Sequence, residues 1–157
     1  MIEYRPGTLE DARDLAPRLR AADAEEVWAA TGLPARVAME ASVRASTACV
    51  AAVVDGRCEG LFGVVPVSPL AGEAAVWMLA SDVADQHARA WLVEAPQWLT
   101  LLGDGWAVLR NRVDARNKRS IRWLRRMGFE VGPAEPWGWA GQPFREFRMD
   151  VKEMAHV

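Results

Sequence analysis

At 157 residues, 51% of them hydrophobic and 25% charged, the chain has the length and composition of one globular domain with a core of its own. A net charge of −2 and a pI near 5.7 argue against a protein whose affinity is dominated by nucleic-acid phosphates. No apolar run reaches the roughly 20 residues needed to span a bilayer, and the N-terminus lacks the basic-then-apolar order of a signal peptide, so no membrane partner and a cytoplasmic location are expected.

In chain order, Ile2 to Arg5 reads as a first strand. Thr8, followed three residues later by Asp11, has the form of a capping box. It opens a helix to about Arg20, with Ala12, Leu15, Ala16 and Leu19 on the apolar face and a kink or shortening at Pro17. A second helical stretch, Ala24 to Ala30, stops at Gly32, and Pro34 belongs in the first turn of a third helix running to about Ala45. Thr47 to Val54 and Arg57 to Val65 form a hairpin about the turn signal Asp55-Gly56, which sets Val54 opposite Arg57 and Val53 opposite Cys58. Cys49 then lies about 13 Å from Cys58 along the ladder, beyond disulfide reach, and two free thiols fit a reducing compartment. With Cys49, Cys58, His87 and His156 all far apart in sequence, no metal site is expected.

Pro66, Pro69 and Gly72 mark a loop. Glu73 to Leu79 is a short strand, after which Ser81-Asp82 introduces a helix from about Asp85 to Leu102. Ala88, Trp91, Leu92, Ala95, Leu99 and Leu102 share one side of it, and Pro96 predicts a bend or split. Gly103-Asp104-Gly105 ends that helix, and a strand from Trp106 to about Val113 follows. Asn117 then sits where an N-cap belongs; Ile121, Leu124 and Met127 define one helix face, and Gly128 closes the helix before a strand at Phe129 and Val131. Gly132 to Phe144, with two tryptophans and three prolines, reads as a loop before a last strand, Gln142 to Val151.

The segment from Asn117 to Phe129 resembles the C-terminal half of the Gcn5-related N-acetyltransferase (GNAT) fold, which often reads Asn-x-x-(small)-Ile-x-x-Tyr-x-x-x-Gly-Phe. Asn117, Ser120, Ile121, Gly128 and Phe129 match in register. The order of elements agrees over essentially the whole chain. The resemblance implies an α/β (α+β) architecture, a single GNAT-like domain over 1–157 with a mixed sheet of six to seven strands flanked by helices. It further implies acetyl-coenzyme A, or another acyl-coenzyme A, as cofactor and an amine as acceptor.

In that family the pyrophosphate is held by backbone N–H groups of a glycine-rich loop where the fourth strand splays from the fifth. The equivalent Gln86-His87-Ala88-Arg89-Ala90 has no glycine, with Arg89 where the first one belongs. By resemblance Gln86, His87, Ala88, Arg89, Ala90 and Asn117 are the cofactor-binding residues, Arg89 or His87 supplying charge. A tyrosine that many members use to protonate the leaving thiolate is replaced by Leu124, and the only tyrosine is Tyr4. Asp82, Glu73 and His87 are the candidate bases near the central strands; their plain alternatives are helix cap, solvated strand start and exposed first-turn residue.

Both departures also resemble the small GNAT-like internal virion proteins of short-tailed phages, the resemblance resting on Ser81-Asp82, Asn117, Ser120 to Leu124 and Gly128. That implies a second reading: an inactive descendant that works in virion assembly through contacts with virion proteins. Arg110 to Arg126 carries eight basic residues and one acid, a local charge of +7 against −9 for the rest. Such an edge suits coenzyme A phosphates or, against the overall charge, nucleic acid; its plain reading is a solvated face paired to the acidic remainder. Trp137 and Trp139 are candidates to line a substrate cleft or anchor a partner.

Overall fold

The computed structural model describes residues 1–154 as a mixed sheet of seven strands with helices on both faces. The elements are β1 (Glu3–Pro6), α1 (Leu9–Leu15), α2 (Ala21–Thr31), α3 (Ala35–Ala45), β2 (Ala48–Val54), β3 (Arg57–Ser68), β4 (Glu73–Ala80), α4 (Asp82–Gln86), α5 (Ala88–Gly103), β5 (Val108–Asp114), α6 (Lys118–Arg126), β6 (Glu130–Trp137), β7 (Gln142–Asp150) and α7 (Val151–Met154). Strand order across the sheet is β1-β2-β3-β4-β5-β7-β6, and only the β4–β5 pair is parallel. His156 lies outside the described residues.

The local signals act as their chemistry dictates. The Thr8–Asp11 capping box forms in both directions, and the buried Asp11 also accepts two hydrogen bonds from Arg5 at 2.7 and 2.8 Å. The helix shortens more than expected: α1 ends at Leu15 and Ala16–Arg18, which contains Pro17, tightens into a 3₁₀ turn. Pro34 caps α3 rather than entering its first turn. The hairpin has the expected register, Val54 against Arg57 and Val53 against Cys58, and both cysteines are free. Asn117 caps α6 through Ser120 N–H at 3.4 Å.

Three segments differ from the sequence reading. Pro66 lies inside β3, which runs on to Ser68 through an irregularity that absorbs the missing donor. The helical stretch after β4 splits at His87, whose φ of −112° leaves the helical range, while α5 continues through Pro96. Pro96 faces solvent, so only one carbonyl loses its helical donor and water can satisfy it. Residues 132–144 form not a loop but the two arms of the β6–β7 hairpin, turning between Trp137 and Gln142. β6 is an edge strand, where Pro133 and Pro136 remove donors that no neighbour needs.

One core, including Phe62, Trp91, Trp98, Leu102, Leu109, Ile121 and Leu124, fills the sheet face under α5 and α6. A second, with Leu15, Met39, Leu61 and Leu79, lies under α1 and α3. The hairpin tip docks on the end of α2, with Trp139 N–H donating to Ala30 C=O at 3.2 Å and the Trp139 and Trp28 rings 5.6 Å apart. Gly138 makes this approach possible: its φ is +80°, and a Cβ there would stand 2.6 Å from Ala29 O.

Candidate active site at the strand splay

β5 pairs with β4 only at Glu73–Ala75, against Val108–Arg110, and beyond that point the two strands part. A gap in a sheet exposes backbone donors and acceptors, and each must be accounted for. Ser81 N–H bonds to Glu59 on the β3 side, so by the two-residue repeat the even-numbered residues of β4 turn their polar groups into the gap. Val76 C=O accepts from Asn111 Nδ2 at 2.9 Å. On the facing strand, Arg112 N–H donates to Asn111 Oδ1 at 2.8 Å and Asp114 N–H to Glu26 Oε1 at 2.8 Å. Ala80 N–H donates to Asp23 at 3.0 Å, and Ala80 C=O accepts from Arg20 N–H at 3.0 Å. Met78 lies between Val76 and Ala80 in the same orientation, with no strand across from it among the described residues.

The segment that covers Ala80 is held firmly. Arg18 donates to buried Glu59 at 2.7 Å and to Cys58 C=O at 2.9 Å, the Ser81 hydroxyl donates to Glu59, and Leu19 bridges to Ser81. Arg20 then reaches Asp23 at 2.7 Å and Asp85 at 3.1 Å, while Arg119 takes the other Asp85 oxygen at 3.0 Å. Asp23 is 2% exposed. Burial raises its pKa, against the opposing pull of Arg20 and the Ala80 N–H.

Two cavities meet at the gap. The first, about 420 Å³, opens on the α5/α6 face, with Arg119, Arg122 and Arg126 of α6 opposite Trp91 and Leu92 of α5. The second, about 260 Å³, runs through the splay toward α2, α3 and the hairpin, past Glu26, Val27, Trp77, Asn111 and Trp137. Arg20, Met78, Ser120 and Trp123 line both and form the wall between them. The Ser120 hydroxyl stands 3.5 Å from Arg20 Nη2.

Glu26 is the distinctive group of the second cavity. Its Oε1 is fixed by Asp114 N–H and by Asn117 Nδ2 at 3.4 Å, whereas Oε2 accepts no hydrogen bond among the described residues. Its pKa is pushed up from 4.5 to about 7, chiefly because the carboxylate is desolvated, with the Asp23 and Asp114 charges adding to the rise and the two hydrogen bonds opposing it. A carboxyl that exchanges its proton near neutrality, with one oxygen anchored and the other toward a cavity, suits proton transfer.

The residues singled out from sequence fall in various places. Of the Gln86 to Ala90 stretch only Ala88 lines the first cavity; Gln86 and Arg89 are exposed, and Ala90 packs on the core. Of the four arginines beside that cavity, three come from α6 and the fourth is Arg20. Asn117 is buried, with both side-chain polar atoms engaged by Ser120 and Glu26. Glu73 pairs with Arg110 at 3.1 Å at the closed end of the strands, the length of β4, about 23 Å, from Asp82. Asp82 is exposed at the start of α4, and neither it nor His87 lines either cavity. Leu124 is part of the core. Trp137 lines the second cavity, with the Arg112 guanidinium 4.9 Å from its ring.

Glu26, Arg20 and Asn111 escaped the sequence reading. Asp23, Glu26, Val27 and Ala30 share the i, i+3, i+4, i+7 face of α2, and two acids on such a face are the signal that was there to find.

No protein-family model matches the chain, and no curated protein does. Solved structures do. An aminoglycoside acetyltransferase AAC(6')-Ib in complex with coenzyme A superposes with a TM-score of 0.72 at 15% identity, over 100% of this chain and 99% of that one. A GNAT-family acetyltransferase from Streptococcus pneumoniae gives a TM-score of 0.67 at 14% identity, over 96% and 99%. The ribosomal-protein-S18-alanine N-acetyltransferase from Escherichia coli gives 0.64 at 16%, over 96% and 94%. The fold is the GNAT fold. At these identities the likeness is one of architecture, and the chemistry must be argued from the splay itself.

Proposed function

We propose that the protein is an N-acyltransferase that moves an acyl group from acyl-coenzyme A to an amine at the β4–β5 splay, with Glu26 as general base. The observation that carries this reading is the Glu26 carboxyl, with a pKa of about 7 and a free oxygen, in a cavity that also reaches Met78. The fit to coenzyme A rests on α6: Arg122 and Arg126 have no carboxylate partner among the described residues and line the first cavity beside apolar side chains. The turn after β4 fits less well, because α4 is five residues long with Asp82 and Asp85 in its first turn, and the Ser81 hydroxyl already takes Val83 N–H. Phosphates are therefore held by guanidinium groups rather than by loop amides.

Acyl-coenzyme A supplies an activated acyl thioester. Glu26 removes one proton from the acceptor ammonium, and the amine nitrogen bonds to the acyl carbon as the carbon–sulfur bond breaks. The second nitrogen proton passes to the departing sulfur, giving an amide and a free thiol, and Glu26 returns its proton to water. The Met78 N–H, facing the gap, is the donor for the charge that develops on the acyl oxygen. Thiol release from acetyl-coenzyme A with an amine panel tests the proposal. The expected rate rises with pH through about 7 and falls about 100-fold or more in Glu26→Gln, the scale of a positioned base.

The second reading, an inactive phage assembly protein, draws on the bonded state of Ala80 and on Leu124 at the family's tyrosine position. Absence of thiol release with every amine, together with co-purification with virion proteins, would favour it.

A further inference from the structure

The charges and size of the second cavity bear on which amine it admits. Four charged residues line it: Arg20, Asp23, Glu26 and Arg112. Asp23 is spent, since its oxygens accept from Arg20 and from Ala80 N–H. Arg20 is shared between Asp23 and Asp85. Among the described residues that line the cavity, Glu26 Oε2 is thus the single uncommitted carboxylate oxygen. At the hairpin end the exposed Arg112, in no ion pair among the described residues, lays its guanidinium over the Trp137 ring and puts a solvent-screened positive charge there. Between these ends the walls are mostly apolar, with Val27, Val76, Trp77, Leu79, Val113 and Phe144 among them, interrupted by the polar Thr31, Ser42, Asn111 and Ser120. The volume of about 260 Å³ is open to solvent and gauges the enclosed part of a ligand, about ten non-hydrogen atoms.

We infer that the acceptor is a monoamine with an aromatic or branched apolar body, from phenethylamine to tryptamine in size, its ammonium on Glu26 and its body against Trp77 and Trp137. The assignment rests on the acyl-transfer reading of the same site. A diamine or polyamine long enough to carry a second ammonium to the far end meets Arg112, and an aminoglycoside would leave most of its ammonium groups without a carboxylate in the cavity. The apolar body gains from leaving water, and the Trp137 face, already polarised by Arg112, favours a neutral ring edge over a second cation.

The test measures binding without acyl donor. The full-length chain is titrated calorimetrically at pH 8 with tryptamine, phenethylamine, spermidine and kanamycin. The two arylalkylamines are expected to bind about ten-fold or more tightly than the polycations, Glu26→Gln to weaken tryptamine about ten-fold, and Arg112→Gln to narrow the gap for spermidine. Equal or tighter binding of spermidine or kanamycin overturns the inference, as does tryptamine affinity unchanged in both Glu26→Gln and Trp137→Leu. Tryptamine binding without thiol release from acetyl-coenzyme A would uphold the pocket and defeat the transfer reading. Transfer to spermidine in preference to tryptamine would do the reverse.

Discussion

Glu26→Gln should make the protein more stable while removing its proposed base. In the unfolded chain this carboxyl loses its proton near 4.5, and in the folded chain near 7, so between those pH values the folded state binds more protons and stability falls as pH rises. Above pH 7 the full penalty is present, and a rise from 4.5 to about 7 corresponds to about 3 kcal/mol. Gln keeps a carbonyl oxygen for Asp114 N–H and Asn117 Nδ2, so the variant loses the buried charge without orphaning either donor. For a chain of this length the gain at pH 8 is about 6–12 °C in Tm, shrinking toward zero at pH 4. Thermal unfolding of both proteins across that range measures it. A Tm difference independent of pH, or a variant less stable at pH 8, would show that the Glu26 carboxylate is not desolvated as described.

Reversing two uncommitted arginines, Arg122→Glu with Arg126→Glu, should weaken coenzyme A about ten-fold or more and flatten its salt dependence, whereas Arg89→Glu, on the exposed side of α5, should leave affinity within about two-fold. Calorimetric titration at two ionic strengths separates them; equal losses would return the phosphates to the β4–α5 turn. Asn111→Ala strips partners from Val76 C=O and Arg112 N–H on opposite walls of the gap and should cost about 1–3 kcal/mol in urea unfolding. An unchanged midpoint would mean those bonds do not hold the splay. Gly138→Ala combines left-handed backbone with a clash against Ala29 O, so about 1–3 kcal/mol and a shift in tryptophan emission as Trp139 leaves Trp28 are expected; neither change would leave the docked hairpin tip unsupported.

What the sequence disclosed was whatever acts locally. The Thr8–Asp11 box, the Asp55-Gly56 turn, the Asn117 cap and the Gly128 stop each depend on residues within a few positions of one another, and each appears where its chemistry puts it. Several prolines suggested breaks that the fold does not make. Pro96 sits on a solvated helix face and Pro133 and Pro136 on an outer strand, where a lost donor costs little, so none breaks its element. The site was harder to read because its parts are far apart in the chain: Glu26 meets Asp114, Asn111 meets Val76, and Arg20 meets Asp85 only once the sheet forms. The motif at Asn117 marks the strand and helix that border both cavities, and in the fold Asn117 donates to Glu26. That acid, on the inward face of α2, is the proposed base, and no local motif marks it.

The most direct test of the account is a calorimetric titration of the intact protein with acetyl-coenzyme A, since acyl transfer at the splay requires the first cavity to hold it. Saturable micromolar binding, weakened by Arg122→Glu with Arg126→Glu, is the predicted result. No heat of binding at millimolar acetyl-coenzyme A would contradict it and leave a GNAT fold that does other work.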